Sequence, residues 1–180
     1  MKSIEIEKKQ LINKEIYLLC CEKLKKKFKP CKILQINHYY DTSDFHIASR
    51  NETIRVRQIK NILTLERKFN KKCIDNISVC EENATVIESL PHSIKMNGVE
   101  LHCIGSMVTF RTNFIFSKTT ISLDESYYQG VVDYEIEIES DNCEKLPDEL
   151  KSIVNFSSSP PGKYKRFVRM LKKANGKYEL

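Results

Sequence analysis

Met1-Lys2-Ser3-Ile4-Glu5-Ile6-Glu7-Lys8-Lys9 opens the chain and alternates strictly through its middle, Ile4 and Ile6 against Glu5, Glu7 and Lys9. Successive side chains of an extended strand point to opposite faces, so two carboxylates and an amine share one face here. Far along the chain, Asp133-Tyr134-Glu135-Ile136-Glu137-Ile138-Glu139 repeats the device, with Tyr134, Ile136 and Ile138 opposite Glu135, Glu137 and Glu139. A plain solvent-facing sheet can look like this. The basic strands between the two acidic ones decide the reading.

Thr53-Ile54-Arg55-Val56-Arg57-Gln58-Ile59 places Arg55 and Arg57 on one face. Asn61 marks a turn, and Ile62-Leu63-Thr64-Leu65-Glu66-Arg67-Lys68-Phe69 runs back with Thr64, Glu66 and Lys68 together, a hairpin pattern. Residues 108–116 alternate Val108, Phe110, Phe114 and Phe116 against Arg111 and Asn113, and the expected partner strand 119–124 sets Ser122 and Asp124 opposite Ile121 and Leu123. The charged faces therefore differ in sign. An open sheet could expose them all to water, whereas a closed barrel would gather them around a wet lumen with helices outside. Charges brought that close need counter-ions or a ligand. Converging carboxylates suit a hard divalent cation such as Mg²⁺ or Mn²⁺, and facing arginines suit phosphate oxygens. The chemistry that satisfies both is a polyphosphate–metal complex.

The remaining stretches fill in the frame. Asn13 is placed to cap a helix over residues 14–26, with Ile16, Leu19, Cys20 and Leu24 at helical spacing, lysines at its end and Pro30 beyond. Residues 33–40 read as strand, 74–81 as a further strand, 82–90 as a short helix stopped by Pro91, and Asn97-Gly98 as a turn. Residues 146–154 read as helical, and Pro160-Pro161-Gly162 leads into a last basic helix. A length of 180 residues is read as one domain, 1–180. No apolar run reaches the roughly 18 residues of a membrane span. The charged N-terminus lacks the apolar core of a secretory signal, which gives a cytoplasmic reading. The seven cysteines and four scattered histidines show no zinc or disulfide spacing, and the cysteines are read as mostly buried or incidental reduced thiols. The net charge of +6 points to an anionic partner. Lys23-Leu24-Lys25-Lys26-Lys27-Phe28-Lys29 is read as the solvated end of a helix rather than a nucleic-acid patch.

Taken in order, these segments resemble the CYTH superfamily, the triphosphate tunnel metalloenzymes. Glu5-Ile6-Glu7-Lys8-Lys9 is similar to the family's N-terminal ExExK motif. It is followed by Tyr39-Tyr40-Asp41-Thr42, Ile54-Arg55-Val56-Arg57, Leu63-Thr64-Leu65, Gly105-Ser106 with Arg111, Leu123-Asp124, Tyr134-Glu135-Ile136-Glu137 and Lys163-Tyr164-Lys165-Arg166. The pattern looks most like the small stand-alone bacterial inorganic triphosphatase branch. The resemblance implies an α+β fold, an eight-stranded antiparallel β-barrel tunnel with flanking helices. It also implies Mg²⁺- or Mn²⁺-dependent hydrolysis of a small-molecule triphosphate, with thiamine triphosphate or a class IV type adenylate cyclase reaction as alternatives within the fold. A non-catalytic polyphosphate binder is the alternative of another class. Monomer and homodimer both stay open.

Carried over by position, Glu5, Glu7, Glu135 and Glu137 are implied as metal ligands, with one of Glu135 and Glu137 orienting an attacking water. Lys9, Arg55, Arg57 and Arg111 are implied as triphosphate ligands. Asp124 is expected near the metal or orienting a basic residue, and Lys163 and Arg166 at the tunnel mouth. Glu139 is expected at an exposed strand end. One position departs from the family: where Leu-Thr-x-Lys is usual, this chain has Glu66, and Lys68 is expected to reach in instead. The acidic residue of the next strand is Glu81 or Glu82.

Overall fold

The computed structural model describes residues 2–140, 146–174 and 176. Nine strands follow in chain order: β1 (Lys2–Ile12), β2 (Cys31–Asp41), β3 (Thr53–Ile59), β4 (Ile62–Ile74), β5 (Ile77–Ile87), β6 (Ser93–Met96), β7 (Val99–Phe116), β8 (Thr119–Tyr128) and β9 (Val131–Glu139). Four helices accompany them: α1 (Lys14–Lys25), α2 (His46–Ser49), α3 (Asp148–Lys151) and α4 (Lys163–Ala174). The order β2-β3-β4-β5-β1-β9-β8-β7 closes through a β2–β7 pairing into an eight-stranded antiparallel barrel; β6 pairs only with the start of β7. The α+β barrel expectation is met.

Closure follows from the alternating strands. The register sets Lys9 beside Glu137, Arg55 beside Glu66, Arg111 beside Asp124 and Asp124 beside Glu135. Directly opposed residues share a face, so once one pair points inward the whole charged set does. The apolar set is left outside and must be covered. α1 does this on one side: Tyr17, Cys20 and Leu24 pack on Phe114, Ile121, Leu123, Ile136 and Ile138, joined by Leu150, Val154 and Phe156. Fully burying side chains such as Leu24 and Phe114 is worth roughly 2 kcal/mol apiece. Asn13 caps α1 as its sequence implied, its Oδ1 accepting from the Ile16 amide at 2.8 Å. That bond is worth about 1 kcal/mol.

A second cluster seals one barrel end. Tyr39, Met107 and Tyr128 meet Tyr164, Phe167 and Val168 of α4. Asp41, fully buried, holds this seam: it accepts from the Thr42, Ile47 and Ala48 amides at 2.8, 2.8 and 3.0 Å and from the Tyr164 hydroxyl. Gly105 makes the close approach possible. Its φ is +140°, and a Cβ there would stand 2.8 Å from Phe167 Cζ. Gly105→Ala is expected to lower unfolding stability by about 2 kcal/mol or more, through overpacking and backbone strain together. Urea titration measures it; an unchanged midpoint would show that Phe167 yields freely.

Two elements differ from the sequence reading. Residues 82–87 extend strand β5 instead of forming a helix. Thr85, Val86 and Ile87 are β-branched, and residues 82–87 all pair with β4, Glu82 and Asn83 with β1 as well, so pairing overrides the weak helical pattern. In the 146–154 stretch only Asp148–Lys151 is helical. Pro147 offers no side-chain cap, and Ser152, Ile153 and Val154 are poor helix formers. β4 and β7 also run longer than expected. No helix among the described residues is long and apolar enough to cross a membrane.

Candidate functional site

The barrel encloses a cavity of about 510 Å³. Glu5, Glu7 and Glu137 line it together with Lys9, Arg55, Arg57, Lys68 and Arg111. Lys163 enters from the start of α4 beside the Pro160-Pro161-Gly162 turn. Three residues of the expected set, Asp124, Glu135 and Arg166, are buried and do not line the open space: Asp124 and Glu135 share the inward face but lie beneath Arg111 and Lys163. Glu139 is exposed, as expected, and lies along the same rim.

Ion pairs tie the walls together. Arg111 forks onto Asp124, with Nε at 2.8 Å and Nη2 at 2.6 Å, and also reaches Glu137. Lys163 spans three carboxylates: Glu137 at 2.6 Å, Asp124 at 2.9 Å and Glu135 at 3.3 Å. Arg166 joins Glu135 to Asp133, the latter at 2.8 Å. Lys9 pairs with Glu7, and Lys68 with Glu5. Lys68 thus reaches inward as anticipated. Burial opposes ionisation throughout, yet cations outweigh it at two carboxyls. The Lys68 ammonium brings Glu5 down to about 2, and Lys163, Arg111 and Lys9 hold Glu137 well below the usual carboxylate range. At Glu135 burial prevails and raises the pKa despite Lys163.

Glu66 does not point away. It is 5% exposed and accepts from Arg55 Nε at 2.7 Å, with Arg57 Nη1 at 3.4 Å. The neighbouring strand's acidic residue is Glu82, which lines the cavity 4.0 Å from Arg55; Glu81 faces outward and accepts from Asn70 at 2.7 Å. Sequence reasoning also missed Lys71, Asn37 and Gln35 on the lining. Asn37 and Gln35 share alternation with Tyr39 and were findable by parity. Lys71 was not, because the β4–β5 register slips between Phe69 and Lys72. Cys20, Cys21 and Cys80 are buried and Cys31, Cys73 and Cys103 are exposed, while Cys143 lies outside the described residues. Cys80 touches the site, donating to Glu5 at 3.2 Å, and burial with the Glu5 charge pushes its thiol up to about 12.

Whether these residues suit a metal turns on their donors. Among the described residues no three carboxylate, thiol or imidazole groups stand in a preformed cage. The donor set is nonetheless all oxygen, and Glu135 Oε1 is buried without a hydrogen-bond partner. An orphaned carboxylate oxygen beside Glu137 is costly unless a cation completes it, which fits a hard divalent ion.

The comparisons agree with this geometry. A Bacillus subtilis (strain 168) protein named "Putative triphosphatase YjbK" is 26% identical over 150 residues, covering 77% of this chain and 78% of that one. The crystal structure of a "putative adenylate cyclase" from Bacillus halodurans superposes with a TM-score of 0.70 at 27% identity, covering 92% of this chain and 98% of that one. The Hippeastrum "putative adenylyl cyclase HpAC1", described as revealing a dominant triphosphatase activity, superposes at 0.64 with 21% identity over 96% of this chain and 88% of that one, a likeness of fold. The CYTH domain family model matches residues 3–167, nearly the whole barrel and its closing helix, and the chain therefore belongs to the CYTH domain family.

Proposed function

We propose that this protein hydrolyses inorganic triphosphate to pyrophosphate and phosphate inside its barrel, with Mg²⁺ or Mn²⁺ as cofactor. The observation that carries this reading is a cavity inside a closed barrel in which carboxylates from β1 and β9 meet arginines and lysines from β3, β4 and β7. The relative named a triphosphatase supports it.

In this reading Arg55, Arg57, Arg111, Lys9, Lys68 and Lys163 hold the triphosphate and offset charge that shifts onto the leaving bridging oxygen. Arg166 and Asp124 act from behind, fixing Glu135, Lys163 and Arg111. The metal, held by Glu5, Glu7, Glu135 and Glu137, would supply charge neutralisation at the phosphoryl oxygens. One carboxylate of the Glu135–Glu137 pair orients a water. Its oxygen bonds to the terminal phosphorus, its proton passes to the carboxylate, and the P–O bond to pyrophosphate breaks.

Phosphate release from inorganic triphosphate with Mg²⁺ or Mn²⁺ tests the reading. Wild type is expected to turn over, with Glu7→Gln and Arg57→Ala each slower by tenfold or more. Equal rates in all three would remove the site. The same incubation with ATP is expected to give no cyclic AMP; its accumulation would replace the hydrolase reading with the cyclase one.

A further inference from the structure

Most cations of the tunnel have an anion already. Lys9, Arg55, Arg57, Lys68, Arg111 and Lys163 each stand within 4.0 Å of a carboxylate. Lys71 lines the same cavity and has none among the described residues; its ammonium donates to the Thr53 hydroxyl at 2.7 Å. Strict alternation would not put it there. Lys68 faces inward, so Lys71, three residues on, belongs to the outer face. The β4–β5 register slips between Phe69 and Lys72, however, and Asn70 takes a φ of +53°. This bulge inserts an extra residue and turns Lys71 into the lumen.

The position is electrostatically poor for a lysine. Burial comes first, followed by the charges of Lys68, Lys9 and Arg55, and together they bring the ammonium down to about 8, with Cys80 the one group opposing them. Arg55, on the same face of β3 as Thr53, adds a second unsatisfied donor: its Nη2 is buried without a hydrogen-bond partner. A bulge that drives a cation toward other cations, beside an orphaned guanidinium nitrogen, leaves an anion missing from the space between them.

We infer that Lys71 is a further substrate-binding residue, the ammonium that receives a terminal phosphoryl group of the triphosphate at the tunnel end formed by the β4–β5 hairpin. The inference rests on the triphosphate reading above and adds a residue to it. With Glu66 occupying Arg55 and Arg57, Lys71 supplies positive charge that is free to meet the ligand without first breaking an ion pair.

Calorimetric titration of inorganic triphosphate in EDTA, where no turnover occurs, is the test. Lys71→Met is expected to weaken the dissociation constant roughly tenfold to hundredfold, the range of one charge-assisted contact, and Lys71→Arg to restore it to within about threefold. A second measurement needs no variant. Acetylation of wild type at pH 8, read residue by residue by mass spectrometry, should modify Lys71 readily, and triphosphate should protect it where sodium chloride of equal ionic strength does not. Unchanged affinity in Lys71→Met, or equal acetylation with and without triphosphate, overturns the role of Lys71 while leaving the hydrolase reading intact. A wild type that neither binds nor hydrolyses triphosphate overturns both.

Discussion

Arg111→Met is expected to reduce triphosphate hydrolysis by at least a hundredfold and to lower stability by about 3 kcal/mol. Arg111 is the hinge between two carboxylates with different jobs. Its Nε and Nη2 fork onto Asp124, which is wholly buried, while Nη2 also reaches Glu137 on the cavity wall. Removing one partner of a buried ion pair strands the other, at about 3–5 kcal/mol. Lys163, 2.9 Å from Asp124, offsets part of that and places the expectation at the low end. The activity loss has a separate origin, since arginines that neutralise a phosphoryl transition state are worth roughly 10³-fold or more. Arg111→Lys separates the two effects: it keeps a charge for Asp124 but cannot make the two-pronged contact, so stability should return further than rate. Phosphate release and urea unfolding, run on all three proteins, decide the matter. Wild-type turnover in Arg111→Met, with stability lost, would make this arginine a purely structural strut.

The inward charges were legible because alternation is a local signal. Glu5, Glu7, Glu137, Arg55, Arg57 and Arg111 each sit in a strand whose opposite face is apolar, and the period of two assigns them a common side without knowledge of any partner. Closure was less legible, since an open sheet uses the same pattern; the β2–β7 pairing that closes the barrel joins segments about 70 residues apart. Two departures from the local reading share a physical cause. Residues 82–87 were drawn into strand by pairing with β4 along their whole length, and Lys71 was turned inward by a register slip. Neither is a property of a local window. Asp41 of the Tyr39-Tyr40-Asp41-Thr42 motif seats α2 through the Ile47 and Ala48 amides and α4 through the Tyr164 hydroxyl, and through α4 it positions Lys163.

Glu66→Gln should destabilise the unliganded protein by about 3 kcal/mol and tighten inorganic triphosphate binding by roughly tenfold. The carboxylate of Glu66 lies between two guanidinium groups, 2.7 Å from Arg55 and 3.4 Å from Arg57, and is 5% exposed. Without its charge, two arginines in a low-dielectric cavity face each other with only the more distant Glu82 to offset them. That is the source of the stability loss. The same carboxylate competes with phosphate oxygens for the same donors, so its neutral analogue leaves both forks available to the ligand. Linkage ties the two numbers together: a ligand that binds only the folded state stabilises it by RT ln(1 + [L]/Kd), so a tenfold tighter ligand adds about 1.4 kcal/mol at saturation. Thermal melts with and without inorganic triphosphate in EDTA therefore give a direct reading. The variant should melt lower than wild type when unliganded and gain more from triphosphate. If the ligand raises the melting temperature of both proteins equally, Glu66 does not compete for Arg55 and Arg57, and the arginine pair on β3 belongs to the scaffold of the barrel instead of its anion site.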